Sequence, residues 1–300
     1  MSSGVSPLPV GRVGAVSVPA TSANLGAGFD CLGLALDWRD QMSVTVAPTT
    51  TVTVTGEGAE DIPRDESHLV LASIKRGLAE LGHTAPGFDF VAHNTIPHGR
   101  GIGSSAAAII AGLALAWQLA RPDLELGLDF VLELGIRIEG HADNAAPAVL
   151  GGAVLGVGER AAPQLVSLDL APQWRCVVDV PTVVVPTSTA RKVLPDSRAV
   201  GESIAESSRL ALTTLALAGA VGPEQLLAAT EDPWHQRHRG DLMPQTRDWI
   251  AALRAEGFPA VVSGAGPTVL TLIADDQEPP THEGFARHVL VPGAGVRSAL

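Results

Sequence analysis

Residues 97–107, PHGRGIGSSAA, hold three glycines and two serines in front of a long apolar run. The run, residues 104–120, predicts a buried helix with its serines at the N-cap positions. Glycines let a backbone approach an oxyanion closely, and a helix N-terminus offers free N–H groups and the positive end of the dipole. These features favour phosphate binding. A plain strand-to-helix turn capped by Ser104 would explain the same residues.

This glycine-rich stretch differs from the common nucleotide-binding loops. The P-loop pattern G-x-x-x-x-G-K-[ST] has no match in the chain, and the dinucleotide pattern G-x-G-x-x-G fails at its last glycine. The stretch also contains no lysine. The charge of a bound phosphate would therefore be balanced by backbone N–H groups, the helix dipole, Arg100 and Mg²⁺.

Composition and charge exclude several classes of protein. The 300 residues carry a net charge of −12, which disfavours nucleic acid and anionic membranes as partners. The longest apolar run, residues 106–117, is too short to span a bilayer. The first residues do not read as a secretory signal, and two cysteines do not suggest a disulfide scaffold. We expect a cytoplasmic protein with neither nucleic-acid nor membrane partners.

Strand and helix signals alternate along the chain, with hairpin-like strand pairs between them. This pattern predicts a two-domain α+β protein. Residues 158–173, GERAAPQLVSLDLAPQ, look like a loop and are the candidate boundary between domains 1–160 and 161–300. Helices are predicted at residues 69–81, 104–120, 128–138, 197–220, 223–230 and 244–257. Strands are predicted at residues 13–18, 88–93 and 175–186, and on both sides of Pro48 within residues 41–56.

Two further segments support phosphate binding. Residues 19–37, PATSANLGAGFDCLGLALD, and residues 263–272, SGAGPTVLTL, flank the glycine-rich stretch. Together the three segments resemble the signature motifs of the GHMP kinase superfamily, which includes galactose, homoserine and mevalonate kinases. The superfamily's central motif, P-x-x-x-G-[LI]-G-S-S-A-A, is matched at every fixed position. The resemblance implies that ATP is bound by Pro97, His98, Gly99, Arg100, Gly101, Ile102, Gly103, Ser104, Ser105, Ala106 and Ala107.

Within the superfamily, the chain is most similar to the homoserine kinase branch. Residues 139–147, EGHADNAAP, resemble the branch's E-G-H-P-D-N-V-A-P, with Ala142 and Ala145 as departures. The resemblance implies ATP-dependent phosphorylation of L-homoserine in threonine biosynthesis, and a homodimer, since that branch is commonly dimeric. It also implies an N-terminal domain with a left-handed βαβ unit and a ferredoxin-like C-terminal domain.

Two alternatives remain open at this point. One is another kinase of the superfamily that acts on a sugar or a mevalonate-type acid. The other is a catalytically silent metabolite sensor that keeps the fold and only binds ligands. The three motifs are intact, which argues against the sensor.

The same resemblance assigns the metal site. Glu139 matches the branch's Mg²⁺-binding glutamate, and Ser104 or Ser105 would complete the contact. Glu133, six residues earlier, is the competing carboxylate, and we expect it to lie on a solvated helix face.

The resemblance also assigns the substrate site. Residues 186–195 and 235–244 resemble branch motifs that nominate Thr187, Arg191 and Arg239. Arginine suits the substrate carboxylate because it is permanently charged and bidentate, and Asp30 suits the ammonium group. No general base is evident, so catalysis would rest on alignment of the substrate hydroxyl. We expect catalytic roles for Asn144, Thr187 and Arg191, and substrate contacts from Asn24, Asp30, His141, Asn144, Arg191 and Arg239.

Overall fold

The computed structural model describes residues 6–160, 162–274 and 277–300. The helices are α1 (Leu69–Glu80), α2 (Ser104–Ala120), α3 (Leu128–Glu139), α4 (Ala142–Leu150), α5 (Thr187–Lys192), α6 (Val200–Leu217), α7 (Leu226–Ala229), α8 (His235–Arg239) and α9 (Pro244–Ala255). The strands are β1 (Ser6–Pro7), β2 (Val13–Asn24), β3 (Gly28–Ala47), β4 (Thr51–Gly56), β5 (His83–Thr84), β6 (Gly87–Asn94), β7 (Ala153–Val157), β8 (Gln164–Leu168), β9 (Arg175–Pro181), β10 (Ala260–Val262), β11 (Val269–Ile273), β12 (Phe285–Leu290) and β13 (Arg297–Ser298). None of the described helices is both long and apolar enough to cross a membrane.

The larger sheet has seven strands. Its main path is β13-β2-β3-β6-β4, and β7 pairs with both β3 and β8. Alternation explains its strands, since Val44 and Val46 are buried while Ser43 faces outward. β4 and β6 are parallel, and α1 lies between them in the chain, so a βαβ unit is present. Its predicted left-handedness stays a prediction.

Helix α2 lies at the centre of the N-terminal half. It is apolar on all sides, which is typical of a helix buried on all sides, and α1, α3 and the sheet pack against it. Close contact with α1 depends on Gly112, since a Cβ there would lie 2.5 Å from Cβ of Ser73 and 2.6 Å from the carbonyl oxygen of Val70. The helices predicted at residues 69–81, 104–120 and 128–138 are confirmed with shifts of one residue at most.

The smaller sheet has four antiparallel strands in the order β10-β11-β9-β12. The helices α5 to α9 fall between β9 and β10, and α9 packs Trp249 and Leu253 on the sheet beside Phe285. A strand, helices and two further strands in sequence fit the expected ferredoxin-like arrangement. The described part of the connection between β11 and β12 contains no second helix.

Two of the differences from the sequence-based expectation affect the domain boundary and the site. Residues 158–173 were predicted as a loop, but they contain β8, which pairs with β7 in the larger sheet. Residues 142–150, not predicted as a helix, form α4 around an interior Pro147. Tertiary packing outweighs the low helix propensity there, because five of the nine residues are buried alanine or valine. Because β8 is part of the larger sheet, we would place the domain boundary after Leu168.

A buried ion pair links β9 to β12 in the smaller sheet. The Asp179 carboxylate, 1% exposed, accepts hydrogen bonds from Trp249 Nε1 at 2.9 Å and from Arg287 Nε at 2.7 Å. Arg287 Nη2 donates a further bond at 2.8 Å. Because both partners are largely buried, each depends on the other to satisfy its charge.

We therefore expect Asp179→Ala to lower the free energy of unfolding by about 3–5 kcal/mol, since it leaves a buried guanidinium without its carboxylate. Urea denaturation would measure the loss. Asp248→Ala is the matched control, because Asp248 is 70% exposed and its pair with Arg247 should contribute about 0–1 kcal/mol. Equal losses in the two variants would contradict the assignment.

Candidate active site

A cavity of about 400 Å³ lies where the glycine-rich stretch meets the C-terminal half of the chain. It contains most of the residues that the resemblance nominated. Its lining includes Asn24, Asp30, Gly99, Gly101, Gly103, Ser104, Ser105, Ala106, Glu139, His141, Asn144, Thr187, Arg191 and Arg239. The sequence separates these residues by up to 215 positions, and the fold brings them to one place.

The glycine-rich stretch forms one wall, and it has no room for side chains at two positions. Gly103, with φ +71°, precedes α2, and a Cβ there would lie 2.0 Å from Thr21 Oγ1. Gly101, with φ +80°, would place a Cβ 2.5 Å from the carbonyl oxygen of Ser263. Because only glycine adopts this backbone without clash, the stretch presents bare backbone beside the N-terminus of α2.

The C-terminal SGAGPT segment closes over this wall. Ser263 Oγ lies 2.8 Å from Ser22 Oγ and 2.8 Å from the carbonyl oxygen of Gly101. The backbone N–H of Gly264 donates to the carbonyl oxygen of Ala23 at 3.1 Å. The segment therefore links β2 of the N-terminal half to the C-terminal half, beside the glycine-rich stretch.

A second, largely apolar cavity of about 220 Å³ adjoins the first. It is lined by Ile62, Pro63, His68 and Leu69, and it shares Ser104 and Ser105 with the larger cavity. His98 also faces this cavity, whereas Pro97 and Arg100 line a separate cleft and are absent from the lining of the first. Ile102 and Ala107 are core residues. The nominated stretch thus contributes to several surfaces.

Glu139 and His141 form the acidic end of the cavity. The Glu139 carboxylate lies 3.4 Å from Ser105 Oγ and 3.8 Å from His141 Nε2. Burial raises the pKa of Glu139, and no lysine or arginine of the described residues pairs with it. Burial alone would lower the pKa of His141, but its 2.5 Å hydrogen bond to Asp143 raises it. Glu133 is exposed on α3 and does not line the cavity.

Asp30 and Arg191 are paired with each other. Arg191 Nη1 and Nη2 donate to the two Asp30 oxygens at 3.0 and 2.8 Å, and Arg160 Nε adds a third contact at 2.9 Å. Burial alone would raise the pKa of Asp30, but the hydrogen bonds and charge of Arg191, with Arg160, lower it. The predicted ammonium and carboxylate partners therefore satisfy one another in this structure.

Arg239 is the other nominated arginine, and it is 2% exposed. Its guanidinium donates to the carbonyl oxygens of Ala190 at 3.0 Å and Gly264 at 3.1 Å. Among the described residues it forms no ion pair with a carboxylate. Burial, together with the nearby charge of Arg191, lowers the pKa of Arg239 to about 10. A buried cation beside a cavity without its own anion is suited to bind one.

The remaining nominated residues, two asparagines and a threonine, differ in their contacts. Asn24, with φ +74°, donates Nδ2 to the carbonyl oxygen of Gly264 at 2.8 Å and accepts from the backbone N–H of Asp30 at 3.0 Å. Asn144 Oδ1 accepts from Thr21 Oγ1 at 2.8 Å. Thr187 is exposed at the start of α5 on the rim of the cavity.

Below Arg239 lies a chain of buried titratable groups that no sequence motif indicated. Arg239 Nη1 lies 3.3 Å from His235 Nδ1, and His235 Nε2 lies 2.9 Å from Asp232. Asp232 also contacts Glu206 of α6, which Arg198 pairs with from the other side. Burial, with the Asp232 carboxylate close by, raises the pKa of Glu206 to about 7.

Arg160 and Phe29 were also missed. Arg160 lies in the segment predicted as a loop, and an isolated arginine carries no signal of its partner 130 residues away. Phe29 lies inside the quoted TSANLGAGFD motif, directly before Asp30, so its position was visible. Its contacts with two arginines depend on residues from distant segments.

Comparison with known proteins identifies the family. The family model for the GHMP kinases N terminal domain matches residues 68–152, and that for the GHMP kinases C terminal matches residues 216–281. The homoserine kinase of Cutibacterium acnes is 48% identical over 289 residues, which cover 94% of this chain and 97% of that relative. The homoserine kinase of Clavibacter michiganensis is 45% identical over 272 residues, 90% of this chain and 85% of the relative.

The fold is similar to that of a solved structure as well. The crystal structure of homoserine kinase from Cytophaga hutchinsonii matches with a TM-score of 0.80 at 26% identity, covering 96% of this chain and 97% of that chain. The chain therefore belongs to the GHMP kinases. Within that class it is a member of the homoserine kinases, the branch that its motifs resembled.

The first site prediction concerns Gly103. We expect Gly103→Ala to weaken ATP binding roughly 10- to 100-fold, the equivalent of losing one N–H···phosphate hydrogen bond of about 1.5–3 kcal/mol. Calorimetric titration with ATP would measure it. Gly82→Ala is the control: its φ of +77° carries the same strain, but nothing lies within 4 Å of the new Cβ. Unchanged affinity in a folded Gly103→Ala protein would contradict the role of the backbone.

The second prediction concerns the pH dependence of Glu206. Its folded pKa of about 7 lies above the ordinary 4.5, so the folded protein holds the proton more tightly than the unfolded chain. Stability from this group is present below pH 4.5 and is lost as the pH rises through 7. Glu206→Gln keeps the protonated shape and does not titrate. Relative to this variant, the parent protein should become less stable as the pH rises from 5 to 8, as measured by urea unfolding. A pH-independent difference would exclude a titrating Glu206.

Proposed function

We propose that this enzyme transfers the γ-phosphoryl group of ATP to the hydroxyl of L-homoserine, giving O-phospho-L-homoserine and ADP. One observation carries the choice of substrate: the cavity contains a buried cation, Arg239, which no carboxylate of the described residues pairs with, beside the ion pair of Asp30 and Arg191. A small zwitterion with a free hydroxyl complements this set of charges. The product belongs to threonine biosynthesis.

The two adjoining cavities suit the two ends of ATP. The apolar cavity around Ile62, Pro63 and Leu69 would take the adenine, with His68 at its edge. Ser104 and Ser105 line both cavities, so the phosphates would cross the N-terminus of α2 from one to the other. There the helix dipole and the bare glycine backbone stabilise negative charge.

Mg²⁺ fits the oxygen donors near the start of α2. The buried Glu139 carboxylate and the hydroxyls of Ser104 and Ser105 are hard ligands of the kind that Mg²⁺ prefers. The described residues contain no cluster of three or more metal-ligating His, Cys, Asp or Glu side chains, so phosphate oxygens and water would supply the remaining ligands. When bound, the ion neutralises charge on the transferring phosphate.

Binding of homoserine would rearrange the Asp30–Arg191 pair. The substrate carboxylate would lie on Arg191 and Arg239, and the ammonium would approach Asp30. The Arg160 side chain is half exposed and makes one contact with Asp30. It can therefore move into solvent at little cost in free energy. The two ion pairs of Asp30 are thereby exchanged for a pair between Asp30 and the ligand ammonium and for contacts of the ligand carboxylate with Arg191 and Arg239.

Catalysis would rest on alignment. Asp143, one of the carboxylates that line the cavity, is 3% exposed and is hydrogen-bonded to His141. The hydroxyl oxygen of homoserine attacks the γ-phosphorus, the bond to the β-phosphate oxygen breaks, and the hydroxyl proton passes to solvent. Asn144 and Thr187 would orient the hydroxyl at the rim of the cavity, and this orientation lowers the entropy cost of the step.

We also propose a cytoplasmic location and a homodimer. The absence of paired cysteines agrees with the first, since Cys31 and Cys176 are free thiols. The homodimer rests on the family resemblance.

A substrate panel tests the proposed reaction. ADP release should be fast with L-homoserine and near background with galactose, mevalonate or mevalonate phosphate. A faster rate with any of the others would indicate a different GHMP kinase. Homoserine binding without ADP release would indicate a sensor.

Glu139 and Glu133 provide a matched test of the metal site. Glu139→Gln removes a negatively charged ligand of the Mg²⁺ ion and should lower turnover about 100-fold or more, with a weaker Mg²⁺ dependence. Glu133→Gln should leave both unchanged, because that side chain is exposed and outside the cavity. Magnesium titrations of ADP release would measure both. The reverse result would assign the metal to Glu133.

A further inference from the structure

Phe29 contacts both arginines of the proposed carboxylate site. The guanidinium carbons of Arg191 and Arg239 lie 5.8 and 5.4 Å from the centroid of its ring. Both distances fall within the range of about 6 Å over which a cation is attracted to an aromatic face. One neutral ring therefore holds two like charges from different helices, α5 and α8.

The two arginines need such a partner because they repel each other. The charge of Arg191 is one reason, after burial, that the pKa of Arg239 is lowered to about 10. Asp30 pairs with Arg191, while Arg239 has only carbonyl oxygens and His235 as partners among the described residues. The negative face of the ring offsets part of the repulsion without occupying the place of a substrate carboxylate.

The ring is itself fixed in position. Trp234 meets it edge-on at 4.8 Å with an interplanar angle of 86°, and the His235 ring lies at 5.3 Å. The loop between β2 and β3, which leads into Phe29, is docked by His235, whose Nε2 lies 2.9 Å from the carbonyl oxygen of Gly26. A Cβ on Gly26 would lie 2.4 Å from the carbonyl oxygen of Thr230, so the loop lies directly on the C-terminal half.

We propose that Phe29 is a positioning residue that sets the spacing of Arg191 and Arg239, so that the two guanidinium groups converge on one carboxylate. It acts through the arginines and makes the enzyme selective for a substrate with an α-carboxylate. The proposal rests on the proposed function, since it assumes that the carboxylate of homoserine binds there.

The electron density of the ring, and not its volume, should control this effect. We would incorporate 4-fluoro-, 3,5-difluoro- and pentafluorophenylalanine at position 29, which weaken the negative ring face with little change of shape. The KM for homoserine should rise with each step, by about 5- to 30-fold in total. The kcat and the KM for ATP should stay within twofold. A KM for homoserine that does not follow fluorination would overturn the proposal.

Two controls separate this role from a general effect on folding. Phe130 does not line the cavity, and its ring centroid lies 5.5 Å from that of Trp117. The same substitutions at Phe130 should change neither kcat nor the KM for either substrate. The amino alcohol 3-aminopropan-1-ol lacks the carboxylate, so its kcat/KM should not respond to fluorination at position 29. An equal response of both substrates would overturn the proposal.

The activity of the unsubstituted enzyme distinguishes a failure of the proposed function from a failure of the role of Phe29. No homoserine-dependent ADP release from it would overturn the proposed function and this inference together. Normal ADP release with a flat fluorination series would overturn the role of Phe29 alone. Phe29→Leu, which removes the ring, should also raise the KM for homoserine, but no more than the pentafluoro ring, whose electron-poor face repels a cation.

Discussion

The backbone of residues 101–103 is held from both halves of the chain, and the site depends on this contact. Thr21 of β2 lies against Gly103, and Ser263 of the C-terminal segment lies against Gly101. Neither position has room for a Cβ. The N-terminus of α2 therefore faces the cavity only when both halves are folded together. Buried packing around α2 keeps the helix fixed, so the anion-binding end of its dipole has a fixed direction.

Most charged groups of the site have a partner within the protein when no ligand is bound. Asp30 pairs with two arginines, His141 pairs with Asp143, and Arg239 donates to backbone carbonyl oxygens. Burying an unpaired charge is costly, so this pairing lets the protein fold before the substrate binds. Arg239 is the exception, because neutral carbonyl oxygens stabilise its positive charge less than a carboxylate would. A zwitterion supplies that carboxylate, and its ammonium group would replace the two arginines that pair with Asp30.

Much of this molecule could be predicted from its sequence, wherever the deciding information is local. The helix at residues 104–120 follows from an unbroken apolar run, and the glycine-rich stretch from a matched motif. β8 and α4 were missed because their structure is decided by pairing with β7 and by packing on β2 and β3. Most nominated site residues do line one cavity, although the roles assigned to them are still predictions. The pairing of Asp30 with Arg191 could not be predicted, because the two residues lie 161 positions apart and only the fold brings them together.

A crystal structure of the enzyme with L-homoserine and a non-hydrolysable ATP analogue would test this account most directly. It predicts that the Asp30–Arg191 contact opens, that the substrate carboxylate lies on Arg191 and Arg239, and that the ammonium lies on Asp30. The hydroxyl oxygen should then face the γ-phosphate across the N-terminus of α2. A homoserine carboxylate bound away from both arginines, with Asp30 and Arg191 still paired, would contradict it.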